Sequence, residues 1–145
     1  WRSESIRKYA ATHIVMPTAM TVTEALQQTG AGASFIKMSG ADLAFVKRAR
    51  GAATFGYCPV FVTGGMTPAR IPEAVEAGAV LTATGFDLML KGKPHEVTAD
   101  EIAGQVKTHL DAMEQARRKH FPALMEAAGK DEKTWLDALP HYHPF

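Results

Sequence analysis

The chain has 145 residues, of which 46% are hydrophobic and 21% charged, and its 16 Lys and Arg against 15 Asp and Glu give a formal net charge of +1. This composition predicts one globular domain and excludes a disordered or fibrous chain. The near-neutral charge argues against general nucleic-acid binding, and no apolar run approaches the roughly 18–20 residues that a membrane-spanning helix needs.

The cysteine content and the N-terminus bear on the compartment. One cysteine cannot form an internal disulfide, and no cleavable signal peptide is recognisable, so we expect a reducing, cytoplasmic setting. The chain starts at Trp1 instead of Met, which predicts that processing or truncation has removed an earlier segment.

Residues 1–92 repeat a short apolar run, a polar turn and a helical stretch. The chain opens on a helix at 3–11, with Ile6 and Tyr9 packed inward. Strands are predicted at 13–16, 34–38, 59–63 and 79–84, and helices at 23–28, 42–50 and 71–77. Each of these three helices ends near a glycine, which suggests left-handed C-caps at Gly30, Gly51 and Gly78. Alternating strands and helices predict βα units and a parallel sheet.

Residues 93–145 form a helical C-terminal extension in this interpretation. Thr98 and Glu101 form a capping box at the start of a long helix, whose predicted apolar face comprises Ile102, Val106, Leu110 and Met113. Basic residues follow near its end, before Pro122 interrupts it. A second short helix is predicted at 123–128. The tail after it is too apolar to stay in water, so we expect Trp135, Leu136, Leu139 and Tyr142 to pack on this domain or on a neighbouring subunit.

Lys37 is the most informative candidate residue, because it interrupts an apolar strand. Strand alternation places Phe35, Lys37 and Ser39 on one face, and Ile36 and Met38 on the other. If the first face points into the mouth of a barrel, partial desolvation favours the neutral amine, which can attack a ketone and form a Schiff base. A structural lysine that extends its ammonium into solvent at the strand end is the alternative.

Two neighbouring strand ends are rich in glycine. Thr63, Gly64 and Gly65 end one strand, and Gly85 follows the next. Glycines allow backbone N–H groups to approach an anion, and the N-terminus of the following helix adds positive potential. In barrels of βα units, the loops after the last two strands frequently bind phosphate. Ordinary glycine turns remain the alternative.

Other residues receive structural interpretations. Thr21 and Glu24 form a capping box, and turn chemistry explains Thr18 and Thr21 as well as substrate contact would. Cys58 is interpreted as a buried structural thiol. His141 and His143 lack further ligands at suitable spacing, so no metal site is predicted.

The order of these motifs resembles the C-terminal half of the 2-keto-3-deoxy-6-phosphogluconate / 4-hydroxy-2-oxoglutarate aldolase family. The motifs are Met-Pro with Thr-Val-Thr-Glu-Ala, then Gly-Ala-x-Phe-Ile-Lys, Val-Phe-Val-Thr-Gly-Gly, Glu-Ala-Gly-Ala-Val and Thr-Gly, within about residues 4–92. The resemblance implies a (β/α)8 barrel of TIM type, of which this chain supplies about the last four βα units. It also implies a class I, metal-independent aldolase without a cofactor, usually assembled as a trimer.

The resemblance assigns roles to particular residues. Lys37 corresponds to the Schiff-base lysine, and Pro17 to the proline that ends strand five of the family barrel. Thr63, Gly64 and Gly65 correspond to the loop that holds the phosphate or carboxylate end of the substrate, and Gly85 corresponds to the strand-eight glycine of that pocket. The implied reaction is reversible cleavage of a 2-keto-4-hydroxy acid, which can be 6-phosphorylated, to pyruvate and an aldehyde.

The sequence departs from the family pattern in three places. Met38, Ser39 and Gly40 follow Lys37 where the family has Phe-Pro-Ala, which implies a changed wall of the pyruvate pocket. Phe86 replaces a serine that touches phosphate. The family's general base, a Glu, and its carboxylate-binding Arg belong to the N-terminal half of the barrel, which this sequence does not include. The partner would therefore be that missing half or further copies of the chain.

Two alternative functions remain open from the residues. One is another phosphate-binding barrel enzyme, of the thiamine-phosphate synthase or epimerase type, in which Lys37 has no special role. The other is a non-catalytic paralogue that binds a metabolite or assembles through its C-terminal extension.

Overall fold

The computed structural model describes residues 3–40, 42–51, 58–85 and 96–138. Helices and strands alternate in the first part of the chain, and helices alone follow. The α/β class predicted from the sequence is thereby confirmed. In chain order the elements are α1 (Ser3–Ala10), α2 (Val22–Gly30), β1 (Ile36–Ser39), α3 (Leu43–Arg50), β2 (Val60–Thr63), α4 (Ile71–Ala77), β3 (Ala79–Ala83), α5 (Ala99–His120), α6 (Pro122–Ala127) and α7 (Glu132–Asp137).

The three strands form a parallel sheet in the order β1-β2-β3. The β1–β2 register pairs Ile36 with Val60 and Ser39 with Thr63. The β2–β3 register shifts after Val60, so that Phe61 pairs with Leu81. The predicted parallel sheet is therefore present, built from three of the four predicted strands.

The strand predicted at 13–16 does not form, and only an isolated parallel bridge joins Thr18 to Lys37. A further bridge, between Met16 and Phe35, would need the backbone N–H of residue 17 as a donor to Phe35. Residue 17 is proline and has no such hydrogen. Residues 15–19 still run beside β1 and bond to it, so they occupy the place of a fourth strand without its regular ladder.

The helix boundaries agree with the sequence to within one or two residues, and both predicted capping boxes are present. The predicted glycine caps are right at one position of three. Gly78 adopts the left-handed conformation, whereas Gly51 is extended and Gly30 ends α2 inside the helix. Gly32, two residues further on, takes the positive φ instead. At Gly51 the constraint is space, since a Cβ would lie 2.9 Å from the Lys47 carbonyl oxygen.

The first helix buries Ile6, as expected, but Tyr9 is 49% exposed. Helix α1 ends one residue after Tyr9. The Tyr9 ring contacts the His13 ring edge-on, and the Lys8 ammonium lies 5.6 Å from its centroid. These neighbours are polar or charged, and they replace the predicted apolar packing of Tyr9.

One face of the sheet packs against α2, α3 and α4. Alternate residues of β1 and β2 point to this side, and they are fully or almost fully buried: Ile36, Met38, Val60 and Val62. Ala25, Val46 and Ala74 contribute the facing side chains from the three helices. These three helices therefore cover one face of the sheet, and the alternation leaves Lys37 on the other.

Helix α5 lies along α4 and the outer edge of β3. Met113 and Ala116 pack against Ile71 and Val75, and the Arg117 guanidinium donates two hydrogen bonds to the Val80 carbonyl, at 3.0 and 2.6 Å. The predicted apolar face is only partly buried, because Val106 and Leu110 remain 38% and 63% exposed. The apolar cluster that joins α5 to α4 lies in the C-terminal half of α5, where small Ala112 and Ala116 allow close approach.

Helices α6 and α7 cover the other face of the sheet near the start of its strands. Leu124 is buried there with Phe35 and Val80, and Trp135 packs against them. The expected packing of Trp135 on this domain is confirmed, while Leu139 and Tyr142 lie outside the described residues. Helix α7 was not predicted. Among the described helices, none is both long and apolar enough to cross a membrane.

Candidate functional site

Lys37 sits in the middle of β1, held by its own backbone. Its N–H donates to the carbonyl of Pro17 at 2.8 Å, and its carbonyl accepts from the N–H of Ala19 at 3.1 Å. Pro17 and Ala19 are both buried, so the hydrogen-bonding partners of Lys37 are fixed by packing. The Lys37 side chain is half-buried and points away from the helix layer, as the strand alternation predicts.

A row of register partners surrounds this side chain. Thr18 pairs with Lys37 on one side and Phe61 on the other, and Leu81 extends the row. Paired residues in a parallel sheet project from the same face. Lys37 thus stands between a hydroxyl-bearing side chain and an aromatic ring, a setting that is partly apolar and still open to a polar reactant.

The C-terminal extension builds the floor beneath this row. Phe35, two residues before Lys37 and on the same face, is 2% exposed and lies against Trp135, with ring centroids 6.0 Å apart. Phe61 and Leu81 are partly buried against the same cluster. The base of the Lys37 site is therefore apolar, and much of it is supplied by α6 and α7.

Above the row, the carboxyl ends of β1 and β2 carry hydroxyl groups. Ser39 and Thr63 are register partners, and the Thr63 hydroxyl donates to the Met38 carbonyl at 3.4 Å. The Gly40 N–H donates to the Thr63 carbonyl at 3.0 Å, so the two strand ends stay joined as the chain turns away. A Cβ on Gly64 would lie 3.3 Å from the Gly40 nitrogen, which makes glycine the residue that fits this contact.

The predicted anion-binding turn follows directly. Gly64 and Gly65 both have positive φ, at 84° and 64°. The Arg70 guanidinium donates from Nη1 to the Gly65 carbonyl at 3.2 Å. Gly85 lies two residues beyond the end of β3, at the same edge of the sheet, and within the described residues no hydrogen bond links it to the other turn.

The remaining predicted residues take structural roles. Glu24 accepts from the backbone N–H groups of Met20 and Thr21, and these bonds lower the pKa of its carboxyl. Cys58 is fully buried, which raises the pKa of its thiol, and it accepts a hydrogen bond from the Thr29 hydroxyl.

Metal ligands are not grouped in the described part of the chain, where no three His, Cys, Asp or Glu side chains come together. His141, His143, Phe86 and Ala41 lie outside the described residues.

Sequence reasoning left one residue at this site undecided and missed another. Turn chemistry and substrate contact explained Thr18 equally well, and it lies beside Lys37. Arg70 was not considered at all, although a cation five residues after a Gly-Gly turn is a recognisable signal once the intervening residues 67–70 form a turn. That turn is closed by the Arg70 N–H bonding to the Thr67 carbonyl at 2.9 Å.

Comparisons with known proteins agree with the motif order. The chain is 32% identical over 118 residues to the 2-dehydro-3-deoxy-6-phosphogalactonate aldolase of Escherichia coli (strain K12), a match that covers 77% of this chain and 56% of that enzyme. A solved structure described as native KDPGal superposes with a TM-score of 0.66 at 25% identity, covering 81% of this chain and 57% of the other. The chain therefore spans little more than half the length of these relatives.

A second solved structure shares the fold. It is a cube-shaped, porous protein cage designed by fusing symmetric oligomeric domains, with a TM-score of 0.65 at 23% identity, covering 87% of this chain and 46% of the other. No protein-family model matches the chain.

Proposed function

Because the chain belongs to the 2-keto-3-deoxy-6-phosphogluconate / 4-hydroxy-2-oxoglutarate aldolase family, we propose that it carries the Schiff-base half of an aldolase active site. The observation that carries this proposal is the position of Lys37. Among its strand neighbours it alone bears a charge on the face opposite α2, α3 and α4. An apolar floor below it and hydroxyl groups above it suit a small oxo acid with one polar end.

The chemistry assigned to Lys37 is nucleophilic. Its neutral amine adds to the C2 carbonyl of a 2-keto-4-hydroxy acid, and loss of water leaves an iminium. The C3–C4 bond then breaks, its electron pair moves into the iminium to give an enamine, and the C4 hydroxyl gives up its proton as the aldehyde forms. Protonation at C3 and addition of water release pyruvate and regenerate the amine.

The other assigned residues bind and orient in this proposal. The carbonyl of Pro17 holds the Lys37 backbone, which fixes where the amine projects. Thr63, Gly64, Gly65 and Gly85 lie at the carboxyl edge of the sheet, where the far end of the substrate would be held. The proton acceptor for the C4 hydroxyl is the Glu that the family carries in the N-terminal half of its barrel. We accordingly infer that the proton acceptor comes from that half or from another copy, in a cytoplasmic homo-oligomer. Closing a full barrel requires α5 to leave the outer edge of β3, and α6 and α7 to leave the face that carries Lys37.

Pyruvate release tests this function. The full gene product that contains this chain is incubated with 2-keto-4-hydroxy acids, with and without a 6-phosphate. The pyruvate that is released is measured with lactate dehydrogenase. Lys37→Arg keeps the charge and removes the nucleophile, so its release should fall to background, whereas Lys119→Arg on α5 should match wild type. Equal release by Lys37→Arg and wild type would contradict the proposal.

A further inference from the structure

Gln28 is a buried amide next to the segment that flanks Lys37. It lies on α2 with 6% of its surface exposed, and its Nε2 donates to the Thr18 carbonyl at 3.1 Å. A carbonyl oxygen can only accept, so the amide nitrogen must be the end that faces Thr18. The other end, Oε1, is buried and has no hydrogen-bond partner within the described residues. An apolar side chain of similar length would avoid that unpaired oxygen, so burial alone does not favour glutamine at this position.

The Thr18 carbonyl faces the open side of residues 15–19. Pro17 and Ala19 direct their backbone groups toward Lys37, and this direction alternates along an extended segment, so the Thr18 carbonyl points away from β1. Met16 points the same way by this alternation, and its backbone makes no hydrogen bond within the described part of the chain. Among the described residues, the Gln28 amide is therefore what holds this side of the segment.

The same glutamine also holds the chain that leads into β1. The Gln28 backbone carbonyl accepts from the N–H of Ala33 at 3.0 Å. The next residue, Ser34, donates its N–H to the Val15 carbonyl at 2.9 Å. Gln28 thus bonds through its side chain to residues 15–19 and through its main chain to the approach to β1. Two attachments to one buried residue limit the sliding of one segment along the other.

This constraint matters because the ladder between residues 15–19 and β1 is interrupted. Pro17 has no N–H to donate to Phe35, and only an isolated bridge joins Thr18 to Lys37. On the other side of Lys37, Phe61 belongs to the regular ladder between β1 and β2. The Thr18 side of the Lys37 site therefore has fewer backbone bonds, and the Gln28 amide supplies a further one.

We propose that Gln28 is a positioning residue for Lys37, because it holds Thr18 in register beside the lysine where Pro17 interrupts the ladder. This inference rests on the proposed function, since the orientation of Lys37 affects a reaction only if its amine is the nucleophile. With Thr18 and Phe61 both fixed, the lysine side chain is confined between two neighbours, and less rotational freedom is lost when it adds to a carbonyl. If Thr18 shifts, the amine samples more orientations and adds more slowly.

Amide hydrogen exchange of the chain tests the register without requiring a substrate. Gln28→Met keeps the length of the side chain and removes the donor. We expect exchange at the Lys37 and Ala19 amides to accelerate about five- to tenfold, as the loss of one hydrogen bond implies. The Ile36 amide donates to the Pro59 carbonyl across β1 and β2, so it should stay as protected as in wild type.

Two further variants control this result. Thr29→Val, on the same helix, removes a hydroxyl that donates to the Ala25 carbonyl, and its exchange at the same amides should match that of wild type. Pro17→Ala restores a backbone N–H that can donate to Phe35, so adding it to Gln28→Met should recover part of the lost protection. Such recovery, from the opposite side of the segment, would not follow if Gln28 only stabilised the core.

Reductive trapping connects the register to the reaction. With cyanoborohydride and saturating pyruvate, the rate of trapping on Lys37 should fall about tenfold in Gln28→Met, while the melting temperature stays near that of wild type. Thr29→Val should trap at the wild-type rate.

Several results would overturn the proposal. They are unchanged exchange at Lys37 and Ala19, an equal loss of protection at Ile36, or a trapping rate in Gln28→Met equal to that of wild type. Unfolding of Gln28→Met would also overturn it, since the role would then be structural. If wild type traps no pyruvate while the exchange pattern holds, the aldolase function fails and the register assignment stands.

Discussion

Trp135 packs on Phe35, with ring centroids 6.0 Å apart and ring planes inclined by 44°. Phe35 shares its strand face with Lys37, two residues further on. The contact therefore couples the C-terminal extension to the strand that carries the candidate nucleophile. It also accounts for the apolar residues of a segment that lies outside the βα repeat.

Trp135→Ala should destabilise the chain by about 2–3 kcal/mol, less than for a fully buried aromatic because Trp135 is half-buried. The loss arises because Phe35 and Leu124 would face a cavity or water. Urea unfolding followed by far-UV circular dichroism measures it. Lys133→Ala on the same helix, whose side chain is 85% exposed, is the control and should change stability by about 0.5 kcal/mol at most. Equal effects of the two substitutions would count against the packing role.

Two glycines should respond to alanine with opposite signs. Gly78 has φ 115°, and a Cβ there would lie 2.6 Å from Cγ of Arg50, so Gly78→Ala should cost about 1–3 kcal/mol. Gly104 lies inside α5 with open space around it, so Gly104→Ala should stabilise by about 0.5–1 kcal/mol. The melting temperatures of both variants are compared with that of wild type. A lower melting temperature for Gly104→Ala would contradict the prediction of opposite signs.

The Glu24 cap should leave a signature in acid. Hydrogen bonds from Met20 and Thr21 lower the pKa of Glu24 below its ordinary value of 4.5. A lowered folded-state pKa contributes stability above the unfolded value, and this contribution is lost as pH falls through the folded value. Glu24→Gln keeps a capping side chain but cannot titrate, so wild type should lose stability relative to it below pH 4.5. If the free energies of unfolding of wild type and Glu24→Gln differed by the same amount at every pH, the prediction would be refuted.

Cys58 should resist alkylation in the folded chain. It is fully buried, and burial raises the pKa of its thiol, so the reactive thiolate is scarce at neutral pH. Iodoacetamide should modify it at a rate limited by unfolding, and denaturant should accelerate the reaction by orders of magnitude. Because Cys58 is the sole cysteine, the uptake of label is unambiguous. Fast labelling without denaturant would contradict its position in the core.

Local sequence signals predicted the helices well. Thr21 with Glu24 and Thr98 with Glu101 form the capping boxes that begin α2 and α5, because each motif satisfies the helix end by itself. Helix α7 also has such a signal, since the Asp131 carboxylate accepts from the Thr134 N–H, but it was overlooked. Properties encoded within one turn of chain can thus be found without knowing the fold.

Properties that depend on distant neighbours were harder to predict. Alternation placed Lys37 on the correct face, but the absence of a regular first strand depends on one missing N–H at Pro17, opposite Phe35. The exposure of Leu110 follows from how far α4 extends along α5. The hydrogen bond from Arg70 to the Gly65 carbonyl follows from the turn at residues 67–70, which brings the guanidinium back to Gly65. None of these follows from periodicity, because each depends on the path of another segment.

The division of the chain at residue 92 stays a prediction, as do the barrel and its oligomer. Residues 86–95, where the division falls, lie outside the described residues. Helix α5 nevertheless contacts α4 and β3 closely, so at least part of the C-terminal extension packs directly on the βα units.

In the proposed reaction Lys37 forms a Schiff base with an oxo acid, and reductive trapping detects this bond itself. The chain is incubated with pyruvate and sodium borohydride, digested, and analysed by peptide mass spectrometry, with Lys37→Arg treated identically. We expect a reduced pyruvyl group on the peptide containing Lys37 in wild type and no adduct in the variant. An unmodified Lys37 peptide in a folded, assembled sample, or adducts spread equally over surface lysines, would contradict it.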